Sequence, residues 1–321
     1  MNINDMKATV RTIYEVGKRS NQEDSVYPML KDGVTEQKFF ILADGMGGHV
    51  NGQLASSTVC RTMGNILNEI ASQRDIQEDD FLTALDAAYK ALDAIDDEES
   101  DKKMGTTLTF VSFGKEGALA AHIGDSRIYH IRPTAESPIL YKSMDHSLVN
   151  DLFRIGEITE EEMATSKSRH ILTRAVQPHQ EYRAEADIEH LTDVKPGDYF
   201  YMCSDGMLEN ISDVELLEII CSNISDDEKK GLLLANSQDN KDNHSAFLIR
   251  VGGDDKATKN VPDVTRKNAQ KGIEVYNSHA PKGLAFKYIA IVLFVLAIAL
   301  LVYWLWPEAE PEKELPWWIM E

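Results

Sequence analysis

Short apolar runs that stop abruptly at small or acidic residues dominate the first 251 positions. Phe39–Ala43 ends at Asp44-Gly45, Thr106–Phe113 follows Gly105, and Leu119–Ile123 ends at Gly124-Asp125 with Arg127–Ile131 behind it. Tyr199–Cys203 ends at Ser204-Asp205-Gly206, and Ala246–Val251 follows Asp242-Asn243. Their length and their flanking turn residues predict strands. Between them, apolar residues recur at helical spacing over Gln53–Ile70, Asp80–Ile95 and Asp213–Ser222, and more briefly near Ser147–Ile155 and Asp226–Asn236. Early strands, a helical pair, then more strands argue for antiparallel sheets with helices packed outside, an α+β organisation, rather than βαβ repeats. The acidic residues fall at strand ends, where a rigid scaffold presents side chains to a shared cleft.

After residue 251 the pattern changes. Residues 252–287 are rich in Gly, Lys, Asn and Asp without sustained periodicity and read as a flexible linker. Tyr288–Trp306 (YIAIVLFVLAIALLVYWLW) then runs nineteen residues without a charge. At about 1.5 Å per residue, such a helix spans close to the roughly 30 Å hydrocarbon core of a bilayer. Tyr288 at one end and Tyr303, Trp304 and Trp306 at the other suit the membrane interfaces. A buried core helix is the alternative, but a segment apolar all round, between a polar linker and a charged tail, favours a span. It does not resemble a cleavable signal, since Met1–Val10 has no apolar core. The linker carries seven Lys/Arg against four acids, and the tail at 307–321 carries five Glu against one Lys. The positive-inside rule therefore places residues 1–287 in the cytoplasm and the acidic tail outside, across the plasma membrane.

Charge narrows the function. The net charge of −20 lies almost wholly on residues 1–251, with no basic stripe, so nucleic acid is an unsuitable partner. A phosphate ligand on such a domain calls for metal ions rather than a Lys/Arg groove. Cys60, Cys203 and Cys221 have no Cys-x-x-Cys spacing, which fits a reducing compartment and excludes a zinc or disulfide framework. None has an arginine six positions on, so the thiolate loop of cysteine-dependent phosphatases is absent.

Glu23-Asp24, Asp44, Asp125, Asp205 and Asp242 each sit beside small or turn residues, next to an apolar run. Any one Asp-Gly after a strand is usually a turn. Six such carboxyls brought together would repel and desolvate one another at a cost of several kcal/mol without counter-charge. Divalent cations relieve this, and an all-oxygen set without His or Cys suits Mg²⁺ or Mn²⁺ rather than Zn²⁺. Spacing alone does not establish that these carboxyls converge.

The motifs supply that step. Arg19-Ser20-Asn21-Gln22-Glu23-Asp24, Ala43-Asp44-Gly45-Met46-Gly47-Gly48-His49, Gly105-Thr106-Thr107-Leu108 and Ile123-Gly124-Asp125-Ser126-Arg127 occur in that order. Asp145-His146-Ser147, Leu172-Thr173-Arg174-Ala175, Cys203-Ser204-Asp205-Gly206 and Asp242-Asn243 follow. Together they resemble the metal-dependent serine/threonine protein phosphatases of the type 2C, or PPM, family, in its bacterial form, over about residues 8–251. The resemblance implies a β-sandwich flanked by helices with a binuclear Mn²⁺/Mg²⁺ centre at one end. Asp44 would bridge the ions, the Gly45 carbonyl would ligate one of them, and Asp205 and Asp242 would complete the other. Glu23 would act mainly through bound water with Asp24 in support, and Asp125 would hold a third, weaker ion. Arg19 would grip the phosphoryl oxygens, while Asn243 would orient Asp242. The implied chemistry is direct attack of metal-activated water on phosphoserine or phosphothreonine in a protein, opposing a Ser/Thr kinase.

Two departures stand out. Where many eukaryotic members carry a leaving-group histidine directly after the Asp-Gly, this chain has Met46, which leaves His49 as the nearest imidazole in sequence. The Leu-Thr-Arg-Ala motif runs on into Val176-Gln177-Pro178 instead of a small residue and Gly. Asp145–His170 corresponds to the family's variable flap, and its Glu160–Glu162 run reads as a solvated helix start. Two further readings are a phosphatase dedicated to one small regulatory phosphoprotein and a metal-poor binding module. The latter would have lost a ligand among Asp44, Asp205 and Asp242, and all are present.

Overall fold

The computed structural model describes residues 7–47, 50–96, 104–168 and 170–252. His49, most of the linker, the apolar span at 288–306 and the acidic tail at 307–321 lie outside them. Among the described residues no helix is long and apolar enough to cross a membrane.

In chain order the strands of the first half are β1 (Ala8–Glu15), β2 (Ser25–Tyr27), β3 (Gly33–Thr35), β4 (Phe39–Ala43), β5 (Gly45–Met46), β6 (Gly105–Thr106), β7 (Leu108–Gly114) and β8 (Gly117–Ile123). Then come β9 (Arg127–Ile131), β10 (Ile139–Lys142), β11 (Asp187–Leu191), β12 (Tyr199–Cys203) and β13 (His244–Val251). The helices are α1 (Val50–Ala71), α2 (Glu78–Ile95), α3 (Leu148–Ile155), α4 (Glu160–Thr165), α5 (Asp213–Ile220) and α6 (Asp226–Ser237).

Two antiparallel sheets form a sandwich. One runs β10-β9-β12-β13-β1-β3 and the other β11-β8-β7-β4-β2, with a small β5-β6 ribbon beside them. Alternation along each strand sends one set of side chains between the sheets and the other outward. Phe40, Leu42 and Val111 thus meet Val10, Phe200 and Phe247 in the inner core. Edge-to-face pairs of Phe40 with Phe247 and of Phe113 with Phe200, at 5.3 and 5.0 Å between centroids, bridge the layers.

The alternate residues Phe39, Ile41 and Phe110 face α1 and α2, which bury Ala55, Val59, Met63 and Leu67 from α1 and Phe81, Leu85 and Leu92 from α2. This is the i, i+4 stripe expected of a one-sided helix. α5 and α6 cover the other sheet in the same way. Ser212 with Glu215 and Ser225 with Glu228 form capping boxes that start these two helices. Thr159 and Glu162 do the same for α4, at the acidic run expected to open a solvated helix.

Five strands beyond the expected set complete the sheets: β1, β2, β3, β10 and β11. β1 (ATVRTIYE) is the informative case, because it lies inside its sheet between β13 and β3 although it carries Arg11. That side chain is only 3% exposed and is held by Asp227 at 2.7 Å, so the charge is matched where it is buried.

Candidate metal centre

The carboxylates reach one end of the sandwich from both sheets. Asp44 follows β4 and Asp125 follows β8 in the five-stranded sheet, whereas Asp205 follows β12 and Asp242 precedes β13 in the six-stranded one. These four line a cavity of about 260 Å³ together with Arg19, Glu23, Gly45 and Thr107. Asp24 does not line it. It is 1% exposed behind the cavity, where its Oδ2 accepts from Ser204 Oγ at 2.9 Å.

Hydrogen bonds from Thr106, Thr107 and Glu209, outside the predicted residue set, and from Asn243, inside it, hold this arrangement. Thr107 Oγ1 accepts from the Asp44 N–H at 2.9 Å, while the Thr107 N–H and the Thr106 hydroxyl both donate to the Asp44 carbonyl at 2.8 Å. Asn243 ties the first motif to the last. Its Nδ2 donates to the carbonyls of Val16 and Asn21 at 2.8 and 2.9 Å, and its Oδ1 accepts from the Glu23 N–H at 2.7 Å. Glu209 accepts from the successive N–H groups of Lys241 and Asp242 at 2.9 and 3.1 Å, which fixes the turn bearing Asp242. Close backbone approach sets the glycines: a Cβ on Gly45 would lie 2.1 Å from the Gly52 carbonyl oxygen, and one on Gly52 would lie 2.4 Å from Glu23 Oε2. Gly52, Glu209 and His170, a further cavity residue, carried no sequence signal of their role. Thr107 belonged to a recognised motif but had no assigned function.

Electrostatics at the site are unfavourable to the carboxylates alone. Burial, reinforced by Asp24, Asp205, Asp125 and Asp242, raises the Asp44 carboxyl well above its usual range. Burial and then Asp205 and Asp145 push Asp125 up to about 8, and burial and then Asp205 and Asp242 push Asp24 up to about 7. Asp205 is raised by burial and by Asp242, and one of its oxygens, Oδ1, is buried with no hydrogen-bond partner. An orphaned buried carboxylate oxygen among converging acids is what a cation site offers, and the all-oxygen set fits Mn²⁺ or Mg²⁺.

Arg19 reaches this site, and its Nη2 donates to Asp242 Oδ2 at 2.6 Å. The other oxygen, Asp242 Oδ1, accepts from the Asn243 N–H at 2.8 Å. Met46 also lines the cavity, and His170 is the imidazole that does so among the described residues. The cysteines are all buried, and burial pushes each thiol upward, so no thiolate nucleophile is available here.

A second grouping, His122, His146 and Asp187, brings three potential ligand atoms within 4.8 Å of one another. Its rings stack at 4.5 Å and 19°, so their in-plane lone pairs lie in nearly parallel planes. Arg174 already donates to Asp187 Oδ1 at 2.7 Å. The Gly124 N–H donates to His146 Nδ1 at 3.1 Å, so this cluster braces the turn that carries Asp125.

Acids from both sheets around a small cavity, with an arginine among them, define a metal-dependent phosphohydrolase type of centre. Residues 18–230 match the family model described as Protein phosphatase 2C. Protein phosphatase PhpP of Streptococcus pneumoniae is 31% identical over 252 residues, which cover 77% of this chain and 98% of that protein. The serine/threonine phosphatase of S. agalactiae superposes with a TM-score of 0.61 at 30% identity, covering 76% of this chain and 99% of its own. The catalytic domain of the serine/threonine protein phosphatase PstP, a name carried by a Mycobacterium tuberculosis protein, was solved in complex with two manganese ions. It gives a TM-score of 0.60 at 28% identity, covering 77% of this chain and 99% of its own. The chain belongs to the protein phosphatase 2C family.

Proposed function

We propose that this chain hydrolyses phosphoserine and phosphothreonine in proteins, using two Mn²⁺ or Mg²⁺ ions held by Asp44, Gly45, Asp205 and Asp242. Glu23 lies within reach through water, Asp24 supports from behind, and Asp125 serves a weaker third ion. The observation that carries this reading is the convergence of Glu23, Asp44, Asp125, Asp205 and Asp242 on one small cavity that also receives Arg19. When bound, the ions supply Lewis acidity, which activates a water for in-line attack on phosphorus and neutralises the phosphoryl oxygens. The chain's own residues do the rest. Thr106 and Thr107 lock the backbone at Asp44, and Glu209 and Asn243 lock the turn at Asp242. Arg19 moves one N–H from Asp242 to the substrate, where its planar fork matches two phosphoryl oxygens. The expected result is hydrolysis of phosphothreonine peptides in Mn²⁺, silence in EDTA and recovery on adding Mn²⁺. Full activity in chelator would sink the two-metal reading.

Residues 1–251 are the catalytic domain in this reading, 252–287 the linker, 288–306 a single membrane span and 307–321 an extracytoplasmic tail. The support is sequence chemistry: a nineteen-residue uncharged run with aromatic ends, basic on its N-terminal flank and acidic on the other. The catalytic domain then faces the cytoplasm at the plasma membrane, where it opposes a Ser/Thr kinase.

A further inference from the structure

Beside the metal cavity lies a second and larger depression of about 1090 Å³. The two are continuous, because Met46, His170 and Leu172 line both. Its size is at the upper end of what a drug-sized ligand fills, so it suits several residues of extended chain rather than a second phosphate. The far wall runs from Gln177 to Glu185, starting within the Val176-Gln177-Pro178 departure from the family's motif.

We infer that this groove receives the polypeptide flanking the phosphorylated residue, with Tyr182 as its aromatic anchor and Glu181 and Glu185 selecting a basic neighbour. The inference rests on the phosphoprotein reading above. Continuity with the cavity is the first support, since a chain whose phosphate enters the cavity must leave past Met46 and His170. Tyr182 is the second: it lines the groove yet is 83% exposed, a large apolar ring with no packing role in the fold. Gln180 is the third. Its Nε2 donates to Gln177 Oε1 at 2.9 Å, while its own Oε1 is buried without a partner, an acceptor suited to a substrate N–H. Charge is the fourth. The groove's arginines are already neutralised, Arg174 by Asp187 at 2.7 Å and Arg183 by Asp93 at 3.0 Å and by Asp86. Glu181 and Glu185 are exposed, and their carboxylates make no ion pair among the described residues. The groove therefore presents net negative charge to what enters it.

The test compares p-nitrophenyl phosphate, which needs only the cavity, with phosphothreonine peptides of increasing length, using the full chain in Mn²⁺. Extending the peptide by about three or four residues, with a Lys or Arg among them, should raise kcat/KM by about tenfold. Tyr182→Ala should lower the ratio of peptide to p-nitrophenyl phosphate kcat/KM by about 5- to 30-fold, as for an interface anchor. Glu181→Lys should remove the preference for a basic neighbour. Tyr182 is exposed, so its truncation leaves the core untouched. A ratio unchanged by both peptide length and Tyr182→Ala would overturn the groove while leaving the phosphatase reading intact. Absence of any p-nitrophenyl phosphate turnover would instead overturn the phosphatase reading, and the groove with it.

Discussion

Replacing Asp44 by Asn should make the metal-free protein more stable while abolishing its activity. Asn keeps the shape of the side chain and removes a charge that burial and four neighbouring carboxylates oppose. Holding a carboxyl of this cluster against ionisation at pH 7.5, as for Asp125, which is pushed up to about 8, costs up to about 5 kcal/mol relative to an unfolded pKa of about 3.9. Water entering the open cavity lowers this, and a gain on the order of 1–3 kcal/mol is expected for the variant. A domain of this size shifts by roughly 2–4 °C per kcal/mol, so Tm in EDTA should rise by about 2–12 °C. The sign with pH follows from the raised pKa values of Asp24, about 7, and Asp125, about 8. Between roughly pH 4 and 8 the native state then binds more protons than the unfolded chain, so metal-free stability falls as pH rises through that window.

Cation binding needs the ionised carboxylates, so Mn²⁺ should oppose that fall. At a hundred times its Kd it adds about 2.7 kcal/mol per site, or roughly 5–10 °C. Calorimetry of wild type and Asp44→Asn in EDTA and in Mn²⁺, at pH 5.5, 7 and 8, measures every term. The Mn²⁺ shift should be large in wild type and small in the variant. A variant less stable than wild type in EDTA at pH 8, or one that keeps the full Mn²⁺ shift, would refute the reasoning.

Arg19→Ala should leave Mn²⁺ affinity nearly intact, weaken inhibition by inorganic phosphate and lower kcat/KM by about 10- to 1000-fold, with Arg19→Lys a poor substitute. Unchanged phosphate inhibition and kcat/KM in Arg19→Ala would show that another group grips the substrate. For the membrane reading, a reporter that is active only after export should work when fused after Glu321 and be silent when fused after Gly252; the reverse pattern overturns the proposed orientation.

The parts of this protein legible in its sequence are those whose chemistry is local. An acid at or just past the end of an apolar run nominates Asp44, Asp125 and Asp205, but one such acid is usually a turn, and it is the ordered motifs that single these three out. β1 escaped the pattern because Thr9, Arg11 and Thr12 give it the polarity of a surface strand, yet it lies inside a sheet. What permits this is Asp227, 216 positions away. β11 (DIEHL) escaped because it is an edge strand with little apolar content.

The same limit applied at the site. Glu209 fixes Asp242 through two backbone N–H groups, and Gly52 gives Glu23 its space, but neither residue differs locally from an ordinary exposed Glu or an ordinary Gly. Asp24 shows the converse. Its neighbour Glu23 lines the cavity, whereas the Asp24 carboxylate is buried against Ser204. Two adjacent acids in one motif therefore divide into a residue at the cavity and a buried support. Met46 makes a related point about mechanism. A thioether carries no proton for a leaving serine oxygen, so that proton must come from a group brought in from elsewhere in the chain or from water. Sequence proximity points to His49, which lies outside the described residues; among those described, His170 stands in the cavity wall, at the passage where a departing peptide would leave.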